Sequence, residues 1–197
     1  MAVANSQAMK VNDSGMPDEA YWNTLFDIPA IVDWLQIRSE DRVVEVGCGY
    51  GTFTVPIAQR RPAKLYAFDI ESGMVDITGQ RLNEAELPGV QLAQRDLIAH
   101  GTGLPAGSVD LFLLFNILHF AERRVLLQEA ARNLAAGGRV AIIHWRRDIP
   151  TPRGPAVHLR PELSDIEQAS AGTGLAYRGN SRVLEPYHLG IQLIREV

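Results

Sequence analysis

The sequence predicts an α/β fold: one doubly wound, mostly parallel sheet of seven strands, with the last strand antiparallel. Three observations predict it. From about residue 41, short apolar runs alternate with amphipathic segments at helical spacing. That is the pattern of strands covered by helices on both faces. The first run ends in a glycine-rich turn, VVEVGCGYGTFT at 43–54. Glycines there let a ligand approach the backbone where a strand gives way to a helix. The last two runs follow each other with only a short turn between them, so they must pair antiparallel.

Taken in order, residues 1–16 are small and polar and are expected to form a flexible end. Tyr21, Trp22, Leu25 and Phe26 make one apolar group. Ile28, Ile31, Val32 and Leu35 make another at helical spacing, with Pro29 at the helix start and Asp27 as its cap. RVVEV is the first strand, followed by a helix over Gly51–Arg60. KLYAF is the second, followed by a helix over Glu71–Glu86. VQLAQ is the third, then a loop rich in Gly and Pro. VDLFLLF is the fourth. A helix over Glu122–Ala135 follows it, apolar at Leu126, Leu127, Ala130 and Leu134, and ended by Gly137–Gly138. RVAIIH is the fifth strand. Residues 145–160, with Pro150, Pro152 and Pro155, read as a long loop over the site. Pro161–Ala171 is a last helix, and LAYRGNSRVLEP and HLGIQLIRE are the closing strands. Right-handed crossovers then fix most of the topology. The expected organisation is one domain over 17–197. It comprises a helical cap at 17–40, a core at 41–145, and a substrate-side loop with terminal strands at 146–197.

Bulk properties narrow the function. A chain of 197 residues suits one sizeable core. The net charge is −4 and no dense Lys/Arg run occurs, which argues against a nucleic-acid partner. The one cysteine, Cys48, rules out an internal disulfide and a cysteine-based metal cluster. There is no apolar signal core and no stretch long enough to span a bilayer, so a cytoplasmic protein without a membrane partner is expected.

The glycine turn poses the question of which nucleotide it holds. The glycines Gly47, Gly49 and Gly51 have G-x-G-x-G spacing, and Thr52 stands where a dinucleotide fingerprint wants Gly or Ala. Glu45 ends an otherwise apolar strand two residues before Gly47. A carboxylate there repels a pyrophosphate and suits a cationic ligand. Asp69 ends the second strand and can accept from both ribose hydroxyls. Asp96 follows the third and can accept from an adenine amine. Asp69 alone would also serve as a helix cap, and Asp96 alone as a turn residue. Three acids at three consecutive strand ends fit one ligand better than three separate caps.

On these residues the sequence resembles the class I S-adenosylmethionine-dependent methyltransferases. The resemblance rests on EVGCGYG, the Asp69 strand end, RDL at 95–97, VDLFLLFN and LAAGGRVAII, and covers roughly residues 40–145. It implies a Rossmann-like sheet and S-adenosyl-L-methionine as cofactor. It also implies roles. Gly47, Cys48 and Gly49 hold the methionine part, and Glu45 orients it. Asp69 binds the ribose, and Ile70 and Met74 pack on the adenine. Asp96 and Leu97 read the adenine edge. Asn116 places a carbonyl near the ammonium, and Tyr21 or Trp22 closes over the cofactor.

The chain leaves little room for an added substrate domain, so a small-molecule methyl acceptor is expected. His119 and His144, near the ends of the fourth and fifth strands, are candidates for a base. His188, Trp145 and Arg153, with Arg160 nearby, are candidates for acceptor contacts. Each histidine alone could equally be a structural residue. No metal site is expected, because the histidine spacings carry no ligand signature. Cys48, with no histidine motif beside it, is not expected to be a nucleophile. Two other readings stay open: a nicotinamide-dependent oxidoreductase, and a non-catalytic binder of the same cofactor.

Overall fold

A computed structural model of the chain describes residues 16–196. The expected flexible segment at 1–16 lies outside the described residues, apart from Met16. The seven strands are β1 (Arg42–Val46), β2 (Lys64–Asp69), β3 (Val90–Gln94), β4 (Val109–Phe115), β5 (Leu134–Trp145), β6 (Leu175–Leu184) and β7 (His188–Arg195). They form one sheet in the order β3-β2-β1-β4-β5-β7-β6. β7 is antiparallel to both neighbours, and the other six strands share one direction.

The helices are α1 (Glu19–Asn23), α2 (Ile28–Trp34), α3 (Thr54–Gln59), α4 (Ser72–Glu84), α5 (Leu97–His100), α6 (Arg123–Asn133) and α7 (Leu163–Ser170). Alternate strand residues face opposite sides. On β4, Leu111, Leu113 and Phe115 pack with Ile31 of α2, Ile57 of α3 and Leu82 of α4. Phe112 and Leu114 pack on the other face with Leu126 and Leu127 of α6 and Ile166 of α7. This two-faced burial explains why β4 is apolar at nearly every position. Among the described residues, no helix is long and apolar enough to cross a membrane.

Asp27 caps α2 as expected, its side chain accepting from the Ala30 N–H at 3.1 Å. Several boundaries differ from the sequence reading, and the short α5 stands where only a loop was expected; three differences change the local structure most. First, α1 is only five residues long, and the buried Leu25 and Phe26 lie beyond it. Second, α3 starts at Thr54, because the glycine turn continues to Phe53. Third, Gly137 and Gly138 do not end α6. The helix ends at Asn133, and both glycines lie inside β5. There the β4–β5 register slips between the pairs Val109–Leu134 and Leu111–Arg139. Such a bulge needs an unusual backbone, and Gly137 has φ of +76°. A Cβ at Gly138 would sit 2.9 Å from the Ala135 carbonyl oxygen.

Candidate cofactor and acceptor site

The parallel register brings the carboxyl ends of the strands together. Val46 pairs with Phe68 and Leu114, Asp69 with Gln94, and Phe115 with Ile143. Because β7 runs backwards, its first residue, His188, pairs with the last residue of β5, Trp145. The chain winds outward from β1 to β3 and then returns to β4 on the other side of β1. Ligands of open α/β sheets bind at that reversal, and a cavity of about 210 Å³ opens there.

Of the residues expected at the site, Gly47, Cys48, Gly49, Asp69, Ile70, Asp96, Leu97, Asn116 and His119 line this cavity. Gly49 has φ of +53°, and a Cβ there would come within 3.1 Å of the Met16 side chain. Its N–H donates to Asp69 Oδ2 at 2.9 Å, and the Glu71 N–H donates to Oδ1 at 3.0 Å. Asp69 therefore braces the glycine turn as well as facing the cavity. Burial raises its pKa, and these two amides pull it back. The Thr78 hydroxyl donates to the Gly49 carbonyl at 2.8 Å and fixes the turn from α4.

Asp96 caps α5, with Oδ1 accepting from the N–H groups of Ile98 and Ala99 at 2.9 and 3.1 Å. The cap and cavity readings thus coexist in one side chain, because both amides fall on one oxygen. Cys48 is buried, and burial together with the nearby Glu45 pushes its thiol up to about 12. It therefore stays protonated and weakly nucleophilic.

Other expected residues lie elsewhere. Glu45 is 2% exposed and does not line the cavity. The Thr54 hydroxyl donates to its Oε2 at 2.6 Å. Burial, with a contribution from Asp69, raises its pKa to about 8 against that hydrogen bond. Its carboxyl therefore sits behind the glycine turn, and any influence on a ligand is indirect. Tyr21 is 42% exposed and does not line the cavity, whereas its neighbour Trp22 does. A helix of five residues turns one of two adjacent side chains inward, and here it is the tryptophan. Met74 is half-buried on α4 and likewise does not line the cavity.

The acceptor-side candidates divide in the same way. Trp145 is buried, tilted against His188 at 4.4 Å between ring centroids. Gly154 presses on it, and a Cβ there would lie 2.7 Å from the indole. Arg153 is exposed on the loop. Arg160 is 5% exposed, and its guanidinium donates to the loop itself. Its acceptors are the carbonyls of Arg146, Arg153 and Pro155 and the hydroxyl of Thr151. In this arrangement its donors hold residues 146–160 together.

Behind Asn116 and His119 lie His144 and His188, both buried. Burial is the main cause lowering the pKa of both rings to about 3 and also lowers that of His119. Among the described residues, no group of three His, Cys, Asp or Glu is placed to hold a metal ion.

Several cavity-lining residues escaped the sequence reading: Met16, Phe53, Arg95, Ile117 and Phe120. Phe53 follows the glycine turn directly and Arg95 precedes Asp96, so proximity to a motif was the available signal. Met16 carried none.

Residues 43–138 match the family described as a methyltransferase domain. Over that stretch, about half of its length, the chain is similar to a methyltransferase domain. It superposes on a SAM-dependent methyltransferase from Aquifex aeolicus with a TM-score of 0.77 and 20% identity, covering 90% of this chain and 94% of that one. It also superposes on magnesium protoporphyrin IX methyltransferase from Synechocystis, solved with SAH bound. There the TM-score is 0.69 and the identity 19%, covering 92% and 90% of the two chains. In sequence it is 28% identical over 114 residues to aklanonic acid methyltransferase DauC of Streptomyces, 56% of this chain and 51% of that protein. The chain thus spans about half the length of that relative. At these identities the superpositions show the fold.

Proposed function

We propose that the protein transfers a methyl group from S-adenosyl-L-methionine to a small-molecule acceptor. One observation carries the reading: the glycine turn, Asp69 and Asp96 line a single cavity at the reversal of strand order. The cofactor supplies a methyl group on a positively charged sulfur. The residues present suit it. Asp69 can accept from ribose hydroxyls while bracing Gly49, and Ile70 offers an apolar wall to the adenine. Asp96 Oδ2 takes no part in the helix cap and can accept from the adenine amine, with Leu97 beside it. Gly47, Gly49 and the backbone at Asn116 frame the methionine end. Trp22 supports a lid role for the N-terminal segment, which is tied down by Tyr50 Oη donating to the Pro17 carbonyl at 2.9 Å.

The chain's own contribution is alignment and exclusion of water. Alignment alone can lower a barrier by about 7–11 kcal/mol. His119 is the residue on the cavity wall able to take a proton from an acceptor, because burial keeps its ring neutral at pH 7. His144 lies one ring deeper, with 5.8 Å between the centroids, and supports His119.

Calorimetry with S-adenosylmethionine, S-adenosylhomocysteine, NAD and NADP tests the cofactor reading. Binding of the first two alone is expected. Binding of a nicotinamide cofactor, or of none of the four, overturns it.

A further inference from the structure

A buried polar atom without a partner is costly, and folded proteins keep few of them. Among the described residues this chain has eight on its side chains. Three are scattered, on Trp34, Arg81 and Asn133. The other five are Asn116 Oδ1, His119 Nδ1, His188 Nδ1 and both ring nitrogens of His144. All five belong to residues at the carboxyl ends of β4 and β5 and the adjoining start of β7.

The four side chains form two tiers. Asn116 and His119 line the cavity, while His144 and His188 do not. Asn116 Nδ2 lies 3.4 Å from His188 Nε2 and is the one hydrogen-bonded link between the tiers. An amide NH₂ can only donate, so His188 presents its lone pair there and carries its proton on the open Nδ1. His119 and His144 meet edge to face without a hydrogen bond.

The surroundings define what would fill the deficit. The cavity wall that includes Asn116 and His119 is otherwise apolar and aromatic, with Phe115, Ile117, Phe120, Trp22 and Phe53. His188 is stacked on Phe26 at 4.4 Å. The histidines are neutral, so they offer mixed donors and acceptors and no positive charge. The nearest cation acting on the rear pair, Arg160, donates to its own loop. Arg123, the cation acting on His119, donates its Nε–H to the Phe120 carbonyl, so the cluster itself presents no positive charge.

We propose that Asn116 and His119 form the acceptor subsite, with His144 and His188 as the polar layer behind them, and that it takes an uncharged, flat, apolar compound through a hydroxyl group. A hydroxyl both donates and accepts, which matches neutral imidazoles and an amide oxygen. A site built to hydrogen-bond a hydroxyl rejects the analogue lacking it strongly, by a factor of about 10⁴ or more in the best cases. This inference rests on the methyltransferase reading only for which ligand is the acceptor; the hydrogen-bonding deficit stands without it.

The test uses p-cresol, toluene and 4-methylbenzoate, which differ in one substituent, with the intact protein saturated in S-adenosylhomocysteine. The readouts are histidine ring ¹⁵N signals and ligand affinity by NMR. p-Cresol is expected to shift the His119 signals and to bind at least tenfold tighter than either other probe. His119→Phe, which keeps an aromatic ring on the cavity wall, should lose at least tenfold in p-cresol affinity with S-adenosylhomocysteine still bound. Equal or tighter binding of 4-methylbenzoate overturns the proposal. So do histidine signals that ignore p-cresol, which would mean that the open nitrogens hold buried water only. The wild-type signals decide the matter even where His119→Phe fails to fold. Failure of S-adenosylhomocysteine to bind the wild type strikes the cofactor reading instead, and the three probes are then compared without it.

Discussion

At the β1–β3 end of the strand edge, Glu45, Asp69 and Asp96 each accept hydrogen bonds from the chain itself. At the β4–β7 end, His119, His144 and His188 carry four open ring nitrogens. The first end is rigid and complete before any ligand arrives. The second is held in place by aromatic packing and leaves its polar atoms unused. The comparison teaches where each kind of specificity resides. A preformed end suits a fixed cofactor, and a hydrogen-bonding deficit suits a partner that supplies what is missing.

The contrast can be broken most directly at Asp69. Asp69→Ala removes the acceptor for Gly49 and the proposed ribose contacts together. Hydrogen bonds to a charged group are worth about 1.5–3 kcal/mol each. Cofactor affinity should fall at least tenfold by calorimetry, while p-cresol still shifts the histidine signals. Unchanged affinity would remove the ribose assignment.

Arg160→Met tests the other end through its loop, leaving the histidine side chains themselves in place. It keeps the apolar stem and strips the donors from four acceptors in residues 146–160. A loss of about 2 kcal/mol in chemical denaturation is expected, with early protease cleavage in that segment. A stable, protease-resistant variant would show that the prolines alone hold the loop.

Glu45→Gln reads the completeness of the first end through pH. The folded carboxyl has a pKa of about 8, well above its ordinary value of 4.5. Between those values the folded state holds a proton that the unfolded state has released. Wild-type stability therefore falls as pH rises through that window. Glutamine does not titrate and can still accept from Thr54. The variant should gain stability relative to wild type between pH 5 and pH 8 in denaturation curves. Parallel pH profiles would mean that Glu45 is ionised throughout.

The smallest effect is expected at Tyr21. Tyr21→Ala should change stability by less than about 0.5 kcal/mol and cofactor affinity by less than twofold. Trp22→Ala should weaken cofactor binding measurably by the same calorimetry. Equal effects would mean that α1 rotates on binding.

The sheet was legible because strands buried on both faces read as continuous apolar runs, β4 most clearly. The histidines were legible as a group because each lies near an end of a strand at one edge. What each side chain does there was not legible. The cap at Asp96, the brace at Asp69 and the loop clamp at Arg160 depend on partners far away in the chain or on local turns. Gly137–Gly138 looked like a helix stop because glycine serves both helix ends and bulges, and only the pairing with β4 decides between them. Tyr21 and Trp22 could not be told apart, because one short helix gives too few residues for a period.

His188 owes its place to the antiparallel entry of β7, which begins where β5 ends. The turn at 185–187 fixes the register of that entry. Successive strand residues face opposite ways, so lengthening or shortening this turn by one residue would exchange a neighbouring side chain for His188. One neighbour is Leu189. A change in length alone would then replace the polar ring behind Asn116 with an apolar side chain and leave the glycine turn untouched. Acceptor preference among chains of this architecture can thus diverge by insertion and deletion as readily as by substitution.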